Sequence, residues 1–245
     1  MGRVKIGSMH WRRILRRLSA VGLAAALIAA CGSPRSVDDL AAALLTNDDL
    51  SGEWTLNLGT KAQDQQRLPE SGVLSDEQRK MLPTVHLCEA ADASAQKAAD
   101  TLHWDVYRQL DKKVADPVDV PKDRVGNMVF VQESMLLGKG STLAHTLDDL
   151  FPGIEKCLGP MPASEEGPGN SETIAVTASA DQKIAVLYTV EEAGGAGTWH
   201  VYNAILRKGS VVMSVMATDI ALGGVDVELG LDEFDTIVST ALAKL

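Results

Sequence analysis

Alternation of apolar and polar positions predicts several β-strands along this chain. The clearest stretch is residues 127–137, where Met128, Phe130 and Gln132 fall on one side and the residues between them on the other. Shorter or weaker alternation predicts further strands at residues 54–58, 102–110, 174–178, 184–190, 199–207 and 210–218. Lys208 and Gly209 separate the last two stretches, and this spacing predicts a hairpin.

Helical spacing predicts the elements between these strands. Leucines at positions 143, 147 and 150, with Ile154, form one apolar stripe of a helix that begins at residue 141 or 142 and ends at residue 158. Pro152 lies inside that stretch and is expected to kink or divide the helix. Further helices are predicted at residues 37–45, from Ser75 onward, at 92–99 and at 232–245. The Pro- and Gly-rich residues 159–170 predict a loop.

The order of these elements predicts the fold class. Hairpin-connected strands interrupted by separate helices are typical of an α+β fold. We therefore expect an antiparallel sheet of about five to six strands with helices packed on one side. The chain has no internal repeat and no linker rich enough to divide it, which predicts a single domain over residues 37–245.

The first part of the chain has the pattern of a bacterial lipoprotein leader. Four arginines between residues 12 and 17 precede an apolar stretch at residues 21–30, which is too short to span a bilayer. Ile28-Ala29-Ala30-Cys31 reads as a lipobox, in which the cysteine is lipidated and the chain is cut before it. We expect a signal peptide at residues 1–30 and a lipidated tether at 31–36. An ordinary secretory signal with a chance cysteine is the alternative, and either Met1 or Met9 is the start.

The charge balance excludes some partners. Six of the 23 basic residues and none of the 33 acidic residues lie in the leader, so the mature chain has 17 basic groups against 33 acidic ones, a formal charge of −16. Binding to nucleic acid needs clustered Lys and Arg. The same deficit argues against electrostatic attachment to anionic lipid headgroups. The membrane contact that we expect is therefore the lipid on Cys31.

Cys88 and Cys157 remain once Cys31 is assigned to the lipid. In an oxidising exported compartment such a pair most simply forms one disulfide. Two reduced cysteines are the alternative. Neither has a Cys or His nearby at the spacing of metal ligands, which disfavours a metal site.

The sequence contains no recognisable catalytic motif. It has no Gly-x-Ser-x-Gly elbow, and its histidines are scattered without the spacing of zinc ligands. We therefore expect no catalytic residue, no cofactor and no metal. Trp104 and Trp199 are the candidates for a ligand-binding cleft between sheet and helices, although packing in the core is the ordinary role of a tryptophan.

The layout of residues 37–245 resembles a known family. The order is Cys88, Trp104, the strand of Gln132, a helix reaching Cys157, and the hairpin and closing helix that follow. It is similar to the extracellular sensor domain of the mycobacterial receptor kinase PknH and to free-standing actinobacterial lipoproteins of that family. The resemblance implies an antiparallel sheet backed by helices, with a cleft for an unidentified ligand and no catalytic residues. Members typically have two disulfides, whereas this chain has cysteines for one.

These features together predict a non-catalytic lipoprotein at the extracytoplasmic face of the cell membrane. Its sensor-like domain is expected to bind a small molecule, a lipid or an envelope protein. The alternatives are a structural or assembly lipoprotein that acts through protein contacts, and a lipid carrier. A hollow between sheet and helices would favour a ligand, and a filled interface would favour protein contacts.

Overall fold

A computed structural model describes residues 36–58, 68–82, 85, 87–112, 128–164, 167–191, 197–222 and 229–245. The predicted signal peptide and Cys31 lie outside these residues. The described ranges all belong to one unit, Ser36–Leu245. Within them, no helix has the length and apolar character that crossing a bilayer requires.

The described part of the chain forms one antiparallel sheet. Its eight strands are arranged in the order β1-β2-β3-β8-β7-β6-β5-β4. The strands are β1 Trp54–Leu56, β2 Val106–Lys112, β3 Met128–Leu137, β4 Gly159–Ser164, β5 Gly167–Thr173, β6 Gln182–Glu191, β7 Gly197–Lys208 and β8 Val211–Leu222. The confirmed hairpin joins β7 to β8, with Gly209 in the turn at a φ of +62°.

Five α-helices accompany the sheet in this part of the chain. They are α1 Val37–Ala43, α2 Asp76–Met81, α3 Ala93–Thr101, α4 Gly140–Lys156 and α5 Leu231–Ala243, and a short 3-10 helix lies at Asn47–Asp49. Their start signals are local. Ser36 and Asp39 form a capping box on α1, Ser75 and Gln78 form one on α2, and the Asp92 carboxylate accepts from the Ala95 N–H on α3.

Successive residues of the strands point to opposite faces, and each face packs against its own helices. The core face carries apolar residues such as Val131, Ala204 and Val215, which pack against α1 and α5. The cleft face is the opposite one. It carries Ile205 and Val212, which pack in a second cluster with residues of α3 and α4.

The α+β fold with an antiparallel sheet is confirmed, but two details of the prediction are wrong. The sheet has eight strands and not five or six, and helices cover both of its faces. The extra strands come from residues 159–164 and 167–170, predicted as a loop, which belong to the hairpin of β4 and β5. Prolines and glycines hide this hairpin from the sequence pattern, and β4 tolerates prolines because it is the edge strand and forms its ladder on one side only.

Residues 174–180 show the opposite error. Their alternation predicts a strand, yet they lie outside every strand. Val176 and Ala178 are buried in the core, while the backbone bonds to side chains: Asp235 accepts from the Thr177 N–H at 2.6 Å, and Lys183 donates to the Val176 and Ala178 carbonyls. The Ile174 N–H still donates to the Ala185 carbonyl, but beyond it the alternation reflects burial on one side without strand pairing.

Helix α4 crosses the cleft face as a single element. Pro152 does not divide it. The helix begins at Gly140 with Lys139 at its N-cap position, so Ser141 and Thr142, expected to cap it, lie inside the first turn. Gly153 allows a close approach of α3, since a Cβ at this position would lie 2.3 Å from the Ala95 Cβ. The helix ends at Lys156, beside the cleft described next.

Candidate functional site: a cleft over the sheet

A cleft of about 230 Å³ lies between the cleft face and the segments packed on it. Strand residues of the cleft face form its floor, and its polar members are Gln132, Ser134, Asn203 and Ser214, with Met216 among them. The other strand residues of the floor are apolar or aromatic: Tyr107, Ile184, Val186, Tyr188 and Ile205. The walls come from the segments packed on the sheet and are mostly apolar: Leu82, Val85, Leu87, Trp104, Ile154 and Cys157. An apolar cleft with a few polar groups is the usual design of a small-molecule site.

Strand register places the polar groups of the floor. Gln132 of β3 and Asn203 of β7 are both partners of Met216 on the strand between them. Ser134 of β3 is likewise the partner of Ser214. Since neighbouring strands lie ~4.8 Å apart, the Gln132 and Asn203 backbones are roughly 10 Å apart. The two amides therefore flank Met216 from opposite sides.

A chain of side-chain hydrogen bonds reaches the cleft from the β1 edge of the sheet. Asp111 accepts from Asn57 Nδ2 at 2.6 Å and from Gln109 Nε2 at 2.9 Å. Gln109 Oε1 in turn accepts from Gln132 Nε2 at 2.9 Å and from the Tyr107 hydroxyl at 3.2 Å. We call these five residues the amide ladder. Gln132 is its last member and lies in the cleft floor.

The residues that line the cleft carry no formal charge at neutral pH. The described lining set contains no Asp, Glu, Lys, Arg or His. Burial raises the pKa of the Tyr107 hydroxyl, and the nearby Asp111 carboxylate raises it further. Burial also raises the pKa of Tyr188. Both phenols therefore stay neutral, and the site offers hydrogen bonds and apolar contact.

A disulfide between Cys88 and Cys157 fastens one wall of the cleft. It joins the end of α4 to the chain that follows the wall residues Leu82, Val85 and Leu87, with the two Cα atoms 5.5 Å apart. These are the two cysteines that the sequence leaves for a disulfide.

An ion pair closes the same corner of the cleft. Lys156 Nζ lies 2.7 Å from the Asp92 carboxylate, and this bond holds the pKa of Asp92 below its ordinary value. Because Asp92 also caps α3, the ion pair links the start of α3 to the end of α4. The disulfide and the ion pair thus both join the end of α4 to the stretch from Cys88 to Asp92, which directly follows the wall residue Leu87.

The two tryptophan candidates have different environments. Trp104 was predicted to lie inside a strand at residues 102–110, but it lies just before β2, is 5% exposed and lines the cleft. Trp199 lies on β7 and does not belong to the lining residues. Its buried indole N–H has no hydrogen-bond partner within the described part of the chain. Only Trp104 therefore stays a candidate for the cleft.

The polar residues of the floor go beyond the candidates that the sequence predicts. The sequence places Gln132 on a strand face and does not single out Asn203, Ser134 or Ser214. A pattern that indicates them is present, because each polar residue occupies the same strand face as an apolar neighbour two positions away. The hairpin at Gly209 also sets the register that brings Asn203 beside Ser214, whose hydroxyl donates to Asn203 Oδ1 at 3.2 Å.

Other candidate chemistry lies away from the cleft. The described residues contain no group of three or more His, Cys, Asp or Glu that could hold a metal ion. Glu133 is 1% exposed and points to the core face, opposite to Gln132. Its carboxylate accepts from the Leu45 N–H at 2.6 Å, and burial raises its pKa to about 7. It joins the sheet to the segment after α1 and does not reach the cleft.

Comparison with known proteins returns fold-level similarity. No protein-family model matches the chain, and no curated protein matches it. An uncharacterized protein from Mycobacterium smegmatis, the Rv0999 ortholog, is 12% identical with a TM-score of 0.40. The extracellular domain of PknH from Mycobacterium tuberculosis is 14% identical with a TM-score of 0.45. Each comparison covers 86% of this chain and 97% of the other. The chain is thus similar to the domain that its layout resembles, and neither similarity assigns it a ligand.

Proposed function

We propose that this chain is a non-catalytic, lipid-anchored domain of the cell envelope that binds a small ligand in the cleft. The observation that carries the proposal is the cleft itself, with polar groups in its floor, apolar walls and a disulfide that holds one wall. A filled interface between sheet and helices would have favoured a role through protein contacts. The hollow favours a ligand.

The size of the cleft limits what it holds. Ligand pockets commonly enclose ~300–1,000 Å³, so 230 Å³ is small for a complete lipid. The occupant is therefore a small compound or one segment of a larger one. Carriage of a whole lipid is disfavoured.

The anchor is supported by the sequence alone. The arginines, the short apolar stretch and Cys31 form a lipoprotein leader. A diacylated cysteine holds a protein stably on a membrane, whereas one acyl chain does so only marginally. Mass spectrometry of the protein from a mycobacterial host should find the chain beginning at lipidated Cys31. Cys31→Ser should move the protein from the membrane fraction to the soluble fraction, and an intact leader or an unmodified Cys31 would contradict the anchor.

Ligand binding is tested by filling the cleft. Ser214 is partly exposed in the floor, so a phenylalanine side chain at this position would occupy the space. Ser214→Phe should abolish binding of small compounds in NMR titrations of the purified full chain. Ser179→Phe is the matched control, because Ser179 is exposed and is not a lining residue. Binding that survives Ser214→Phe, or a complete lack of binding to a broad panel, would refute the proposal.

A further inference from the structure

We propose that the cleft selects an uncharged ligand that carries a hydroxyl or carboxamide group on a short apolar body. This inference rests on the proposed function and adds the chemical class of the ligand. It follows from three properties of the described residues: the absence of charge in the lining set, the fixed orientation of Gln132, and the orientation of Asn203.

The absence of charge disfavours ionised ligands. A charge that leaves water needs a partner of opposite sign or several hydrogen bonds, and otherwise its desolvation is costly. Among the described residues, the lining offers no ionised group, and both phenols stay neutral because burial raises their pKa. A carboxylate or an ammonium group would enter without compensation, whereas a neutral polar group loses much less on desolvation.

The amide ladder fixes which atom of Gln132 is available. The Asp111 carboxylate only accepts hydrogen bonds, so Gln109 must turn its Nε2 toward it. Gln109 Oε1 then faces the other way, where it accepts from Gln132 Nε2. Gln132 is left with its Oε1 for the cleft. The network thereby sets the direction of two amides that could otherwise be flipped.

Asn203 has the opposite polarity. Its Oδ1 accepts the Ser214 hydroxyl at 3.2 Å, which leaves the Nδ2 hydrogens to donate. The floor thus presents an acceptor on Gln132 and a donor on Asn203, with Met216 between them. A hydroxyl or a carboxamide can donate to Gln132 or accept from Asn203, and neither amide needs a charged partner. The remaining atoms of the ligand meet apolar side chains such as Ile184 and Val186.

Four probes with the same branched carbon chain test the charge preference: isohexanamide, isohexanol, isohexanoate and isohexylamine. NMR titration of the full chain at neutral pH should give affinities for the amide and the alcohol at least roughly tenfold higher than for the two ions, because desolvation of an unpaired charge exceeds that of a neutral group. Equal affinity for isohexanoate or isohexylamine would overturn the inference.

Asp111→Asn tests the role of the ladder from outside the cleft. An asparagine can donate as well as accept, so the direction of both glutamines is released. Wild-type protein should prefer isohexanol over methyl isobutyl ketone, which cannot donate to Gln132. The variant should reduce this preference roughly fivefold, the equivalent of one net hydrogen bond. Asp235→Asn is the matched control, because Asp235 bonds Thr177 on the side of the core face. An unchanged preference in Asp111→Asn would overturn the role of the ladder.

The outcomes separate this inference from the proposed function. If the charged and neutral probes bind equally and Ser214→Phe blocks both, the cleft binds ligands but the ligand class is wrong. If none of the probes binds, and a broad panel of compounds also fails, the proposed function is lost together with the inference. Selective binding of the neutral probes, blocked by Ser214→Phe, supports both.

Discussion

Replacing Glu133 by glutamine should prevent most of the loss of stability that the protein undergoes as the pH rises from mildly acidic to mildly alkaline values. Glu133 is 1% exposed, and desolvation raises its pKa from 4.5 to about 7. The Leu45 N–H and the charges of Lys244 and Arg108 oppose this rise, while the Asp49 carboxylate adds to it. One carboxylate oxygen of Glu133 is buried with no hydrogen-bond partner within the described part of the chain. The ionised form is therefore poorly compensated.

The sign and the size follow from proton linkage. The folded protein holds this proton more tightly than the unfolded chain, so the contribution of Glu133 to the unfolding free energy is fully present below pH 4.5 and is lost as the pH rises through 7. At ~1.36 kcal/mol per pKa unit, the complete loss is about 3 kcal/mol. Most of it lies between pH ~5 and ~8. Glutamine keeps an oxygen for the Leu45 N–H, which Glu133 binds at 2.6 Å, and does not ionise.

Urea denaturation across this pH range measures the effect. The Glu133→Gln variant should equal the wild-type protein in acid and exceed it by about 2–3 kcal/mol in alkali. Histidines also titrate in this window, but they are common to both proteins and cancel in the difference. Glu155→Gln serves as the control, because Glu155 is exposed on α4 and its replacement should keep the wild-type pH dependence. Parallel curves for Glu133→Gln and the wild-type protein would refute the reasoning.

Three further predictions concern stability. The double variant Cys88→Ser/Cys157→Ser should lose on the order of 4 kcal/mol, because the disulfide closes a separation of 69 residues; calorimetry should show that reductant lowers the Tm of the wild-type protein and not of the variant. Gly153→Ala should cost about 1–3 kcal/mol in urea denaturation, because its Cβ would meet Ala95, and Ala95→Gly should restore part of the loss; additive losses in the double variant would contradict the contact. Phe234→Ala should cost about 3–5 kcal/mol, since Phe234 is fully buried and stacks on Tyr202 at 5.2 Å, and a cost near zero would contradict its place in the core.

The central strands were predictable from the sequence because they alternate strongly and a tight turn sets their register. β3, β7 and β8 fall where the pattern places them, and so do α3 and α5. The errors lie at the edge of the sheet. The hairpin of β4 and β5 contains glycines and prolines in place of an apolar alternation, since backbone pairing at an edge needs few buried side chains.

The site was less predictable because its polar floor looks like a solvated face. A strand with polar residues on one side ordinarily turns that side to water. Gln132 and Ser134 follow this pattern, yet helix α4 and the wall residues Leu82, Val85 and Leu87 cover them in part. Recognising the site requires knowing which strands are neighbours, and only the sheet order of β3, β8 and β7 supplies it. Trp104 could be predicted as a lining residue from the sequence, because large aromatic side chains are common in ligand clefts.

The amide ladder has a consequence for how such a domain diversifies. Under the proposed ligand class, the preference of the cleft depends on Asp111, which is not a lining residue but dictates the direction of Gln109 and thereby of Gln132. One exchange at position 111 would then alter recognition while every lining residue stays in place.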